Sequence, residues 1–280
     1  MIKIERLSKS YGDHRIVDDL SLRVARGTIF GFLGPNGAGK TTAMKMIVGL
    51  NAPDNGTIEI GGNDPRDIKA RQRIGYMPED PYFYEHLSAL EFLIFMGNLF
   101  SQKSNKNHTP PNLPFLRGGK KERNSSLNSP PKTELVLDPI GEGVRGGMNN
   151  NEAMKQLNNL LEMVGLENVG QKKIKDFSKG MKQRLGLAQA LVNDPDYLFL
   201  DEPLDGLDPI GRVEFKRIFL DLKRRGKTIF FNSHILSDIE EICDSIGIID
   251  QGGLIYTGPT KKFTGSKTLE QKFIEAVMEK

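Results

Sequence analysis

The sequence predicts an α/β fold with a mostly parallel sheet. Three observations carry that reading. Short apolar runs at 197–201, 228–232 and 246–250 suit strands buried on both faces. Those runs alternate with stretches of helical period at 181–192, 210–225 and 235–243. Nearer the N-terminus, the apolar run 28–33 leads directly into a glycine-rich loop, after which Ala43, Met46, Ile47 and Leu50 recur at helical spacing.

Taken in order, residues 2–7, 16–24, 28–33 and 57–60 read as strands bounded by Gly, Asp and Asn. At 101–150 the character changes: Gly, Pro, Asn and Ser make up roughly half of the segment, Phe115 is its sole aromatic, and no periodicity survives. It is read as a disordered insertion, within which 134–137 is able to dock; the alternative is an ordered loop with its own fold. Helical order resumes at 152–164, where Met154, Leu157, Leu160, Leu161 and Val164 form one stripe and Gly165 supplies a stop.

Composition narrows the function classes. No run of about 18 uncharged apolar residues occurs, and the longest candidate, 89–100, is interrupted by Glu91 and Asn98, so no membrane span is expected. The first residues alternate like a strand, without the features of a secretion signal. The single cysteine, Cys243, cannot form an internal disulfide and is expected to be a small buried hydrophobe in a reducing cytoplasm. The formal charge is +3, and residues 101–150 hold eight Lys or Arg against four Asp or Glu, so the basic excess belongs to that segment. A charge so small and so distributed does not by itself argue for nucleic acid, although the segment's excess of eight basic over four acidic residues could hold anionic lipid or RNA.

Gly34, Pro35, Asn36, Gly37, Ala38, Gly39, Lys40 and Thr41 fit G-x-x-x-x-G-K-[ST], with Thr42 following. The small residues let backbone N–H groups close round a phosphate at a helix N-terminus, Lys40 is placed for the β- and γ-phosphates of ATP, and Thr41 offers a hydroxyl to Mg²⁺. By chance the bare pattern recurs in roughly a few per cent of such chains, and its position between strand and helix decides the reading. Such a loop needs carboxylates from a second strand, and Asp201 and Glu202 end the run 197–201. Asp201 is expected to hold Mg²⁺ and Glu202 to orient or deprotonate the attacking water. A solvated turn is the alternative for paired acids at a strand end. His234 lies just past the run 228–232, at the carboxyl end of a neighbouring strand, where it can contact the γ-phosphate or the water.

These elements, in this order, resemble the nucleotide-binding domain of ATP-binding cassette (ABC) proteins over nearly everything outside 101–150. The most specific further stretch, Phe177, Ser178, Lys179, Gly180, Met181, Lys182, Gln183, Arg184, looks like the family's signature motif, commonly LSGGQ. Ser178 and Gly180 are kept, while Lys179 replaces a glycine and Met181 a glutamine, a variation of the export-type branch. Read alone, the stretch is a helix start with Ser178 as N-cap. The resemblance implies a P-loop NTPase core, an N-terminal antiparallel β subdomain and a helical subdomain at about 80–180, together spanning 1–265, with a short helical tail at 266–280. It implies that Tyr11 stacks on adenine, although an aromatic before a Gly-Asp turn equally suits a core. It implies too that Gly206, Leu207 and Asp208 touch a partner subunit. Glu79 stands where most of the family has a glutamine that senses the γ-phosphate and Mg²⁺; glutamate can ligate the metal but cannot donate a hydrogen bond.

The resemblance also implies partners. Ser178 and Gly180 act on the ATP of an opposite subunit in a head-to-tail homodimer or heterodimer, and separate membrane-spanning permease chains dock near Pro81, Tyr82, Phe83, Tyr84 and the helix from Ser88, aromatics that otherwise serve a core. The tail, with Leu269, Phe273, Ile274 and Val277 on one face, resembles the ending of export-type ATPases. The expectation is an ATPase subunit powering export of an unidentified substrate from the cytoplasmic face of the membrane, with no specific nucleic acid partner. The alternative is a soluble cassette ATPase acting on ribosomes or nucleic acid. Deleting residues 103–148 should leave the isolated ATPase active, measured by phosphate release; loss of ATP binding would overturn the reading of the insertion.

Overall fold

A computed structural model describes residues 1–101 and 150–278; apart from its first and last residues, the insertion read at 101–150, with 134–137, lies outside the described residues. The chain opens with a three-stranded antiparallel sheet in which β1 (Ile2–Tyr11) lies between β2 (His14–Val24) and β4 (Asn55–Ile60). A six-stranded sheet follows, in the order β5 (Ile74–Met77), β6 (Tyr197–Asp201), β7 (Thr228–Asn232), β3 (Ile29–Leu33), β8 (Ser245–Asp250) and β9 (Gly253–Pro259). Its pairs are parallel except for the β8–β9 hairpin.

Alternation along the parallel strands sends side chains into two cores. Phe30, Phe32, Phe199 and Phe230 join the inward residues of the antiparallel sheet and Ala43, Met44, Met46 and Ile47 of α1 (Lys40–Ile47). Leu198, Leu200, Ile229 and Phe231 face the other way. There they meet α3 (Ala89–Ser101), α4 (Asn150–Met163), α5 (Lys179–Leu191) and α6 (Pro209–Arg224) through Phe92, Leu161, Leu185, Phe215 and Phe219. Both faces being covered explains why these strands read as unbroken apolar runs. Short helices complete the fold: α2 (Ile68–Arg71), α7 (Leu236–Ile242), α8 (Thr260–Thr264) and α9 (Leu269–Met278).

The sequence reading overlooks β5, β9, α2 and α8. The strand β5 has four residues, and a Cβ at its Gly75 would lie 2.1 Å from the carbonyl oxygen of Ala190 on α5, so close helix–sheet packing demands a glycine where composition suggests a loop. Capping moves helix starts forward of the apolar period: Ser178 Oγ accepts the Met181 N–H at 3.2 Å, and Asp208 accepts the Gly211 N–H at 2.7 Å with Pro209 at the first helical position. Helices reach both ends of the expected insertion, at Ser101 and Asn150. The aromatic run divides: Phe83 is buried edge-on to Phe92, Tyr84 packs against Phe95, and Tyr82 is 89% exposed. In α9, Leu269 is buried and Phe273 packs on the core, but Ile274 faces solvent. Cys243 is buried, and burial pushes its thiol pKa up. Among the described residues no helix is long and apolar enough to cross a membrane.

Phe230 stacks on Phe30 at 5.1 Å between ring centres and lies 5.5 Å from Phe32 and 5.7 Å from Phe199. Phe230→Ala should therefore cost about 3–5 kcal/mol in urea denaturation. A loss under about 1 kcal/mol would show that the sheet does not rely on this cluster.

Candidate functional site

The parallel strands β5, β6, β7, β3 and β8 deliver their carboxyl ends to one edge of the sheet, the edge where α/β proteins bind ligands. An open cleft of 630 Å³ lies there, lined by Asn36, Gly37, Gly39, Lys40, Thr41, Thr42, Glu79, Glu202 and His234, together with Ile16, Asp205 and Asn232.

The loop from β3 to α1 forms the floor. A Cβ on Gly34 would lie 2.3 Å from the Ile249 carbonyl oxygen; Gly39 has φ 101° and its Cβ would fall 2.5 Å from the Ile16 carbonyl oxygen, so neither position admits a side chain. Lys40 is buried, and its Nζ donates to the carbonyl oxygens of Gly34 at 2.7 Å and Pro35 at 3.1 Å. Burial pushes its pKa down, against the pull of Glu202, Asp201 and Glu79. The helix α1 begins with no side-chain cap and no acidic residue in its first turn, so its positive end faces the cleft uncompensated.

At the end of β6, Asp201 Oδ1 accepts hydrogen bonds from Asn232 Nδ2 at 2.5 Å and from the Thr41 hydroxyl at 3.4 Å. Burial lifts the Asp201 pKa, while these two donors lower it. Asp201 and Thr41 present adjacent hard oxygens of the kind Mg²⁺ takes, and Glu79 adds an exposed carboxylate at the rim. Among the described residues no group of three or more His, Cys, Asp or Glu is placed to hold a metal, so a cation here must share its shell with ligand or water oxygens.

Glu202 has φ 49°, an uncommon backbone conformation for a residue with a Cβ. Its N–H donates to Asn232 Oδ1 at 2.7 Å and its carbonyl oxygen accepts Gln183 Nε2 at 3.1 Å. The carboxylate Oε2 accepts the His234 backbone N–H at 3.2 Å and lies 2.8 Å from His234 Nδ1. The pair can hold a water at the cleft mouth, with one carboxylate oxygen fixed by the ring.

The structure thus brings together the loop, Glu79, Asp201, Glu202 and His234. It leaves three expected residues outside the cleft. Tyr11 is half exposed, which removes the core alternative; its hydroxyl accepts Asn51 Nδ2 at 3.2 Å and Lys9 Nζ lies 5.6 Å from its ring centre. Ser178 and Gly180 sit at the start of α5, where Gly180 lies beside Gly206 and Leu207, and Lys179 Nζ bonds Asp205 at 2.6 Å. Sequence reasoning missed Asn232 and Gln183. An amide closing the apolar run 229–231 was the available signal for Asn232, since only a side chain with both donor and acceptor can join Asp201 to Glu202.

A family model described as ABC transporter matches residues 17–205. An uncharacterised ABC transporter ATP-binding protein of Synechocystis is 39% identical over 88% of this chain, but the match takes in 57% of that protein, so the chain spans about three fifths of the length of the first such relatives. The lantibiotic transport ATP-binding protein SrtF of Streptococcus pyogenes is 33% identical over 99% of this chain and 98% of its own. A solved ATP-binding subunit of an ABC transporter superposes with TM-score 0.76 at 25% identity, covering 99% of both chains.

The raised Asp201 pKa has a consequence for stability. The folded chain holds that proton more tightly than the unfolded one, so the contribution is present below the ordinary carboxylate pKa of 3.8 and is lost as pH rises through the raised value. Asp201→Asn should therefore unfold at higher urea than the parent at pH 7.5 without ligand, with the gap closing toward pH 4. Equal midpoints at pH 7.5 would show that burying this charge costs nothing.

Proposed function

Since this chain belongs to the ABC transporter family, we propose that it is an ATP-binding and ATP-hydrolysing subunit that powers export through separate membrane-spanning chains from the cytoplasmic face. The observation that carries the ATPase reading is the Glu202–His234 pair at the mouth of a cleft floored by Lys40 and by Asp201 with Thr41.

In this reading the backbone amides of residues 34–42 and the N-terminus of α1 hold the nucleotide's phosphates, and Lys40 leaves the carbonyls of Gly34 and Pro35 for the β- and γ-phosphates. Thr41 and Asp201, with Glu79 at the rim, hold Mg²⁺, which when bound neutralises charge on the β- and γ-phosphate oxygens. Asn232 keeps Asp201 aimed by bonding the oxygen that also meets Thr41. Glu202 accepts the proton of the attacking water, and His234 holds its carboxylate in place and reaches the γ-phosphate. Tyr11 stacks on adenine, which requires it to turn from its present contact with Asn51.

Ser178 and Gly180 do not line the cleft of their own chain, which supports their acting on the nucleotide of a second subunit in a head-to-tail dimer. Closure of two such subunits on two ATP molecules, followed by hydrolysis, supplies the stroke. Exposed Tyr82, with Tyr84 beside it, is the docking surface for the membrane chains. The outward direction rests on Lys179 and Met181 in the signature stretch and on the α9 ending. Likeness to a lantibiotic transport protein supports transport of a cargo selected by the membrane chains.

Glu202→Gln should bind ATP like the parent while hydrolysis falls by about 10²-fold or more and an ATP-dependent dimer accumulates on size exclusion. Undiminished phosphate release by this variant would remove Glu202 from the role of base.

A further inference from the structure

Gln183 lies in the second turn of α5, is 3% exposed, and turns its side-chain amide toward the carbonyl oxygen of Glu202 at 3.1 Å. The other side of Glu202 is held as well, its N–H by Asn232 Oδ1 at 2.7 Å. These two bonds bracket a residue with φ 49°, a conformation that is strained for a side chain with a Cβ and persists only where its surroundings impose it. Asn232 reaches Glu202 from within the sheet, whereas Gln183 reaches it from the helix that begins with Ser178 and Gly180.

We propose that Gln183 is a positioning residue for hydrolysis: it fixes the backbone of Glu202 and so ties the orientation of the base to the position of the signature helix. The inference rests on the roles given above to Glu202, Ser178 and Gly180. It adds a route between two nucleotide sites, because Glu202 serves the chain's own ATP while the start of α5 serves the partner's. The route is short and stiff. The second half of α5 is packed on β5 with Ala190 against Gly75, and Gly186 lies against Met77 and Pro81, so a shift at the start of the helix turns it about a fixed end. Gln183 sits between that fixed end and the moving one. The Asp205 N–H also donates to the Glu202 carbonyl at 3.1 Å, so occupation of the partner's site sets how much Gln183 adds to that hold, and with it where the carboxylate points.

Two substitutions test this in the full-length chain. Gln183→Met keeps the volume but cannot donate, and should lower kcat for ATP about 10-fold and bring the Hill coefficient for ATP toward 1, with KM and binding of a non-hydrolysable ATP analogue unchanged. Parental kcat and cooperativity in this variant would overturn the proposal, as would a kcat loss accompanied by an equal loss of analogue binding. Gln183→Glu gives a readout that folding alone does not move. A protonated carboxyl can donate to the Glu202 carbonyl and an ionised one cannot, so its kcat relative to the parent should fall as pH rises from 6 to 9. Parallel pH profiles would also overturn it, and this arm decides the matter if Gln183→Met does not fold. If the parent chain itself hydrolyses no ATP, the function proposed above fails, an outcome separate from either of these.

Discussion

The cleft depends on one side chain that joins two neighbouring parallel strands, β7 and β6, at their carboxyl ends. Asn232 closes β7, the strand between the phosphate loop's strand and the strand of the acids, and its amide spends both its capacities there. The Nδ2 group donates to Asp201 and the Oδ1 atom accepts from Glu202. One residue thus sets the carboxylate beside Thr41 and the backbone from which the other carboxylate springs. A neutral amide does this without adding charge to a site already holding Lys40, Asp201 and Glu202, where a further ion would need its own partner in a low dielectric.

From that lock the rest of the arrangement follows by geometry. The register pairs Leu200 with Phe231 and Asp201 with Asn232, so the phenylalanine cluster on one face and the leucine-rich cluster on the other end at the same level, and polar chemistry begins where both cores stop. The antiparallel sheet closes one wall: Ile16 packs its carbonyl against Gly39, and Gly252 links to both Ala38 and Asp18 by backbone hydrogen bonds. A floor held so tightly can keep Lys40 buried against its preference for water.

The helical side shares an extensive apolar core with the sheet, and polar bonds add to it around the stretch that begins α5. Arg184 donates to the Val164 carbonyl oxygen at 2.9 Å and pairs with Glu214 at 2.5 Å, while Lys179 pairs with Asp205 on the loop after Glu202. Water can replace the exposed Lys179–Asp205 pair at small net cost, whereas the part-buried bonds of Arg184 are costlier to break.

Much of this was legible in the amino-acid sequence, and what was legible was local. The glycine-rich loop 34–42 is nine consecutive residues between a strand and a helix, Asp201 and Glu202 are neighbours on an apolar run, and His234 follows another such run, so each is visible from adjacent residues alone. Fold class was legible for the same reason, because burial of a strand on both faces writes itself into four or five adjacent residues. The short β5 was not, since its glycine answers to the Ala190 carbonyl of a helix more than a hundred residues away. Nor were Asn232 and Gln183, whose partners are Asp201 and Glu202 from other elements. A polar side chain in a sequence shows what it can bond but not what stands opposite it. Only the tertiary structure decides that, because register and helix packing bring the donor to its acceptor.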